Sequence, residues 1–209
     1  MGYTLNFFGK QHMENPKSNS FSNLITDLNN ERELVDEFYK TYSNIDSKVV
    51  NPDFLEAVAI ALQMSIYVAD IRELMILIHS DSPDKFSMRC ASRLAVLRIV
   101  ERSNSFGPTY ARLRETAKKI KVENGDDEYK KVTKELKSER LAIQGLASVR
   151  HTAGHYFVDA INFIKEIESV NVKEVKQHMA EICQIASSLI QFAVHIFKSW
   201  PNNKLTAVS

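Results

Sequence analysis

The stretch that decides the fold is residues 173–200, KEVKQHMAEICQIASSLIQFAVHIFKSW. Its apolar residues recur four and three positions apart in alternation, at Val175, Met179, Ile182, Ala186, Leu189, Ala193, Ile196 and Trp200. This spacing puts them on one face of an α-helix and is typical of helices that pack in a bundle or across a dimer contact. Pro201 ends the pattern, because proline cannot continue a helix. The stretch therefore predicts a long amphipathic final helix.

Helical spacing also runs through most of the chain that precedes this stretch. It predicts helices over about 21–42, 52–79, 84–102 and 108–122. A fifth predicted helix runs from 126 towards 145, and its apolar seam continues from there to about 167. Asn51 and Pro52 are a good N-cap and first residue for the second helix, which is apolar nearly all round, and Asp126 is the predicted cap of the fifth. The segment 103–108 and the pair Asn124-Gly125 are predicted breaks.

Two of these helices have a predicted inward face that can be checked residue by residue. For the first helix the face is Phe21, Leu24, Ile25, Leu28, Leu34, Val35, Phe38, Tyr39 and Tyr42. For the third it is Phe86, Met88, Ala91, Leu94, Ala95, Leu97 and Val100.

Composition favours the same fold class. The chain has 209 residues with only 6 glycines and 5 prolines, too few to punctuate the many turns of an all-β fold. We therefore expect an all-α bundle of about five or six helices. Residues 21–209 are predicted to form a single domain, and residues 1–20 a partly ordered N-terminal arm at best.

Several features predict a cytoplasmic protein that has no membrane partner. Cys90 and Cys183 are far apart and form no Cys-x-x-Cys pair, which indicates reduced thiols. The N-terminal residues do not have the pattern of a signal peptide. The most apolar stretch, residues 54–69, contains Glu56, Gln63 and Ser65 and is interpreted as a buried central helix rather than a bilayer span.

Charge is unevenly distributed along the chain. Residues 1–85 carry 7 basic and 13 acidic side chains, whereas residues 86–150 carry 15 basic and 8 acidic ones. Within the basic segment, Tyr110 is followed by five cations predicted to contact an RNA backbone: Arg112, Arg114, Lys118, Lys119 and Lys121. Glu115 and Glu123 are interspersed among them, so the alternative is an ordinary solvated helix face of mixed charge.

The candidate chemical centre is the run Arg150-His151-Thr152-Ala153-Gly154-His155. A histidine with a near-neutral pKa can take a proton from a ribose 2′-hydroxyl or position that group for attack. A guanidinium can bind the scissile phosphate and stabilise its extra charge in the transition state. These residue types suit RNA cleavage that needs no metal and no cofactor, with a 2′,3′-cyclic phosphate and a free 5′-hydroxyl as products.

Spacing constrains how these groups act. Arg150 and His155 are five residues apart, so on a straight helix their side chains point about 140° away from each other. They converge only if the helix starts or bends near Arg150, or if two chains share the active site. His151 and His155, four apart, share one face.

The run resembles the motif of the HEPN superfamily (higher eukaryotes and prokaryotes nucleotide-binding), whose ribonucleases carry Arg, then Asn, Asp or His, three residues, and His. The resemblance implies a four-helix core with the motif late in the chain and one helix after it. It also implies a homodimeric, metal-independent endoribonuclease of toxin–antitoxin or abortive-infection systems, which has RNA as substrate and an antitoxin as a possible partner. By the same resemblance Arg150 binds phosphate, His155 is the base or positions the nucleophile, and His151 assists.

Three other interpretations stay open. The Arg and His side chains could be ordinary bundle residues in ion pairs and hydrogen bonds. His151, His155 and Asp159 lie four apart and could bind a metal, with a further ligand from His79, His178 or His195. A third possibility is a non-catalytic binding or regulatory bundle of the same fold.

Overall fold

The computed structural model describes residues 21–45, 51–79, 85–122, 164–165 and 168–199, together with 125–137 except positions 128, 132, 135 and 136. Four long helices lie in these ranges: α1 (Phe21–Asn44), α2 (Pro52–His79), α3 (Lys85–Lys119) and α4 (Val172–Lys198). The described residues of 125–137, and residues 164–165 and 168–169, are helical as well, and no described residue is in a strand. The predicted all-α bundle is thus confirmed, whereas the N-terminal arm lies outside the described residues.

Asparagine side chains cap two of the four helices at their N-termini. The Asp53 amide donates to Asn51 Oδ1 at 2.9 Å, as the Asn51-Pro52 signal predicts. At the start of α4 the Glu174 amide donates to Asn171 Oδ1 at 3.3 Å. Each cap satisfies an amide that has no partner within its own helix, which fixes where the helix begins.

Helix α2 is the centre of the bundle and packs against α1, α3 and α4, while α3 also packs against α4. Its buried residues, from Phe54 to Ile78, cover about half of its circumference. The opposite side is an exposed stripe of residues three and four positions apart, namely Gln63, Ile66, Asp70, Glu73 and Leu77, so the helix is less enclosed than its nearly continuous apolar sequence suggests. The Lys119 end of α3 meets the Asp53 end of α2, so α2 and α3 run antiparallel. Asp27, early in α1, meets Arg72, late in α2, so these two helices are antiparallel as well.

The face of α4 predicted from its spacing is buried from Val175 to Ile196. Trp200 lies outside the described residues. Several α4 residues beside this seam are buried too, among them Cys183 and Phe192, because both α2 and α3 cover the helix. The sequence pattern therefore gave the orientation of α4 correctly but underestimated the width of its contact surface.

The predicted break at residues 103–108 is wrong, because α3 runs without interruption from Lys85 to Lys119. Interior proline costs a helix about 3 kcal/mol. Phe106 and Tyr110, on either side of Pro108, are only 1% and 3% exposed. Burial of one large apolar side chain contributes about 1.5–3 kcal/mol, so packing of these two rings outweighs the cost of Pro108. The predicted short basic helix over 108–122 is the second half of α3.

The predicted inward faces of the first and third helices are correct only in part. Leu24, Leu28 and Phe38 of α1 and Ala91, Ala95 and Val100 of α3 are buried. The prediction was wrong for the residues that prove exposed, namely Phe21, Ile25, Tyr39 and Tyr42 of α1 and Phe86 and Leu94 of α3. Only three residues of α1 are buried, a narrower stripe than its apolar residues suggest, because α2 is its main packing partner.

Helices α2 and α4 are long and apolar enough to cross a membrane by length and composition, contrary to the expectation drawn from the polar residues of 54–69. Core helices of soluble proteins pass the same test, and 56% of the apolar window is buried in each of these two. The cytoplasmic location and the absence of a membrane partner stay predictions.

Candidate functional site

Of the two parts of the predicted site, the Arg150–His155 run and the five cations predicted to contact RNA, the structure describes only the cations. Arg150, His151, His155 and Asp159 lie outside the described residues, so their predicted chemistry stays a prediction. The five cations predicted to contact RNA are all described, and they lie on the last turns of α3 and in the turn that follows it.

Arg112 and Lys119 extend from α3 to the first turns of α2. Arg112 Nη2 forms an ion pair with Glu56 Oε1, and Lys119 Nζ donates to Asp53 Oδ1 at 3.0 Å. The hydrogen bond and the charge of Asp53 raise the pKa of Lys119 above its usual value. The cations are on the outside, 66% and 62% exposed, whereas the Glu56 and Asp53 carboxylates beneath them are 28% and 23% exposed. Each cation therefore pairs with a carboxylate on its protein-facing side and is exposed to solvent on its outer side.

These pairs border an open groove between the start of α2 and the end of α3. Its volume is about 250 Å³, and it is lined by Glu56, Ala111, Arg112, Glu115, Thr116 and Lys119. Acidic and basic side chains alternate along its walls, so the groove has no strong net charge. The groove is thus a surface of mixed charge, which is the alternative interpretation of the basic segment.

Arg114 holds the segment after α3 against that helix. Its guanidinium carbon lies 3.9 Å from the centre of the Tyr129 ring, and its Nε is 3.5 Å from Asp126 Oδ1. Asp126 is itself helical, so the prediction that it caps its helix was wrong. A cation stacked on an aromatic ring and paired with a carboxylate is already engaged in structural contacts.

Tyr110, the aromatic residue of the predicted RNA surface, belongs to the same structural arrangement. Its hydroxyl donates to the Tyr129 carbonyl oxygen at 2.5 Å, and the two rings stack with their centres 5.0 Å apart. It also contacts Phe192 of α4. At 3% exposure its ring is not accessible for stacking on an RNA base.

Lys118 and Lys121 are the outermost cations of the set. Lys118 Nζ lies 3.5 Å from Glu115 Oε1, and both side chains are about half exposed, so this pair is weak and readily exchanged. Lys121 has a left-handed φ of 57° and terminates α3. Its amide donates to the Lys118 carbonyl, and the Val122 amide donates to the Ala117 carbonyl, the two bonds of a Schellman motif. Lys121 therefore occupies a position that usually holds glycine.

The described histidines offer no metal site. No three His, Cys, Asp or Glu side chains come together to hold an ion in the part of the chain that the structure describes. His178 Nδ1 is 3.0 Å from Glu181 Oε2, and His79 Nδ1 is 2.8 Å from the Met75 carbonyl oxygen. Burial lowers the pKa of His79. The alternative metal site over His151, His155 and Asp159 falls outside the described residues.

Sequence reasoning missed a buried ionic cluster between α1 and α2. The Arg72 side chain is 8% exposed, and its Nη1 donates to Asp27 Oδ2 at 2.8 Å, while its Nε lies 3.9 Å from Glu31 Oε1. Burial raises the pKa of Glu31, with Arg72 acting in the opposite direction. A single arginine in the second half of an apolar helix was the available signal, but its partners are more than 40 residues away in sequence.

Searches with this chain against protein-family models, curated proteins and solved structures find no match.

Proposed function

We propose that this protein is a metal-independent endoribonuclease of HEPN type that acts as a homodimer. The observation that carries the proposal is the run Arg150–His155, which fits the Arg-x4-His motif within an all-α chain. The position of the run also supports it, because α4 is the long helix that follows, and the residues before it are the most basic part of the chain. The resemblance further suggests a role in defence or in a toxin–antitoxin pair, with an antitoxin protein as regulator.

The proposed reaction is an internal transesterification of RNA. His155 takes the proton of a ribose 2′-hydroxyl or orients that hydroxyl, whose oxygen then bonds to the adjacent phosphorus. The bond from phosphorus to the 5′-oxygen breaks, and that oxygen takes up a proton from water, which balances the proton lost by the 2′-hydroxyl. Arg150 stabilises the additional negative charge on the phosphoryl oxygens, and His151 assists as a polar neighbour. The products are a 2′,3′-cyclic phosphate and a 5′-hydroxyl end, and no metal enters the reaction.

Two protomers contribute to the proposed site. Because Arg150 and His155 diverge by about 140° on a straight helix, a single chain does not readily aim both at one phosphate. A symmetric dimer that brings two copies of the run together removes this difficulty, since the arginine and histidine of both chains then line one cleft.

The test is cleavage of RNA by purified protein in the presence of EDTA. We expect the wild type to cut and Arg150→Ala and His155→Ala each to lose about 10²- to 10⁴-fold in rate, the usual contribution of such groups. RNA whose 2′-hydroxyls are all methylated should remain intact, because the nucleophile is blocked. Matched controls are Arg98→Ala, at an exposed position of α3, and His195→Ala, at a half-buried position of α4. Equal rates in the control variants and the Arg150 and His155 variants would refute the assignment.

A non-catalytic binding bundle is the second candidate, and one observation favours it. Four of the five cations predicted to contact RNA already have a carboxylate within 4 Å, so this face is less basic than the sequence suggests. Absence of cleavage by the wild type on tRNA, rRNA and mRNA alike would favour this candidate over the nuclease.

A further inference from the structure

The groove between the start of α2 and the end of α3 holds two cations in an unusual arrangement. Arg112 and Lys119 lie one above the other on α3, seven residues apart, and both reach carboxylates of α2. Those carboxylates, Glu56 and Asp53, are set by the first turns of a capped, buried helix. The carboxylates therefore lie on the first turns of α2, whereas the cations extend over them from α3 and are largely exposed to solvent.

The cations are still accessible to an anion from solvent. Arg112 has five N–H donors, and its ion pair with Glu56 uses one Nη nitrogen while two thirds of the side chain is exposed. Lys119 has three donors, of which the described contact with Asp53 uses one. A phosphate approaching the groove thus meets donors that face it, but also two carboxylates directly behind them.

From this geometry we infer that Asp53 and Glu56 act as built-in competitors that weaken the binding of single-stranded RNA to Arg112 and Lys119. The inference rests on the proposed function, since it names RNA as the ligand of this face. A carboxylate beside a cation opposes the approach of a phosphate and reduces the contribution of that cation to RNA binding by a few-fold. RNA therefore gains less from these two side chains than it would if the carboxylates were neutral.

The inference predicts that removal of the two negative charges strengthens RNA binding. The double variant Asp53→Asn/Glu56→Gln keeps the side-chain shapes and removes the carboxylates that pair directly with the two cations, while Glu115 remains at the groove. Exposed ion pairs are each worth only a few-fold in an equilibrium constant, so we expect a gain of about tenfold for the two together at about 0.1 M salt, where charges are screened within about 10 Å. The dependence of affinity on salt should also become steeper, by about 0.7 in the log–log slope for each additional phosphate neutralised, or roughly 1.4 in all.

The experiment measures binding of fluorescein-labelled oligouridine by fluorescence anisotropy across a salt series. All variants are made in the full chain with His155→Ala, so that cleavage does not interfere. The charge-matched control is Asp36→Asn/Glu73→Gln, which removes two carboxylates that pair with Lys40 and Arg32 elsewhere. Glu73 is 20 residues from Asp53 along α2, about 30 Å, several times the screening length in physiological salt.

A further variant shows whether the gain passes through the two cations. Addition of Arg112→Ala and Lys119→Ala to the Asp53→Asn/Glu56→Gln protein should abolish the tighter binding. Thermal melting of each protein checks that it is folded, and the single variant Glu56→Gln, which leaves the first turn of α2 unchanged, repeats the test if the double variant is unstable.

The outcomes separate this inference from the nuclease proposal. Tighter binding and a steeper salt dependence in Asp53→Asn/Glu56→Gln alone support it, whether or not the wild type cuts RNA. Affinity that is unchanged, or raised equally in the charge-matched control, overturns it even if cleavage is fully confirmed. Absence of RNA binding by every variant overturns it as well, and the cleavage assay then decides the proposed function separately.

Discussion

Replacement of Arg72 by methionine is the most informative perturbation of the fold. Methionine retains much of the aliphatic volume of the arginine stem but removes the cation that Asp27 and Glu31 share. The Glu31 side chain is 15% exposed, and its Oε2 makes no hydrogen bond, so its charge depends on Arg72. The variant therefore leaves two carboxylates close together at a buried interface between α1 and α2.

The expected cost follows from the burial of this cluster. Loss of one partner from a buried ion pair costs about 3–5 kcal/mol in the free energy of unfolding. Asp27 keeps 32% of its side chain exposed and can be partly solvated, which places the expected loss near the lower end, at about 3 kcal/mol. For a chain of this size that corresponds to a fall in Tm of roughly 6–12 °C.

Thermal and urea unfolding, followed by circular dichroism at the helical band, measure this loss. Arg32→Ala is the matched control, because its pair with Glu73 is more than half exposed on both sides and should contribute close to nothing. Adding Asp27→Asn and Glu31→Gln to Arg72→Met should recover part of the lost stability, since no uncompensated charge then remains. An Arg72→Met protein as stable as Arg32→Ala would refute the assignment of Arg72 as the ionic anchor of α1.

Three further predictions concern single side chains. Burial raises the folded-state pKa of Glu31 above its ordinary 4.5, so the stability that protonated Glu31 contributes at low pH is lost as the pH rises through the raised pKa. From pH 4 to 7 the urea midpoint of the wild type should therefore fall relative to that of Glu31→Gln, and midpoints that stay parallel over this range would contradict the prediction. The free energy of unfolding of Lys121→Gly should exceed that of Lys121→Ala by about 1 kcal/mol, because glycine adopts the left-handed φ of 57° without the strain that alanine has there. Equal melting temperatures of the two variants would disprove this difference. Burial raises the pKa of the Cys183 thiol to about 12. In a Cys90→Ser protein, where Cys183 is the remaining thiol, a thiol reagent at pH 8 should therefore react only when the protein unfolds, and rapid reaction of the native protein would contradict the burial of Cys183.

The parts of the fold that could be predicted from the sequence are those fixed by local signals. The start of α2 was predicted from the Asn51-Pro52 pair, and the face of α4 from its four-and-three spacing, since both depend on neighbours within one or two turns. The break predicted at Pro108 was wrong because local propensity was opposed by the burial of Phe106 and Tyr110 against other helices. Such tertiary packing cannot be read from the six residues around the proline.

The candidate site shows the same division between local and distant information. Clustering of Arg112 and Lys119 was visible in the sequence, but their partners were not. Glu56 and Asp53 precede these two cations by more than 50 positions, so only the antiparallel packing of α2 and α3 brings the opposite charges together. A basic stretch therefore predicted where cations lie, while the fold determines how much of their charge is available to RNA.

The nuclease assignment depends above all on the rate of RNA cleavage by wild type and His155→Ala in EDTA, with analysis of the new RNA ends. We expect the wild type to leave 2′,3′-cyclic phosphate and 5′-hydroxyl ends, and His155→Ala to lose about 10²- to 10⁴-fold in rate. Cleavage that EDTA abolishes, that leaves other ends, or that His155→Ala retains in full would contradict it.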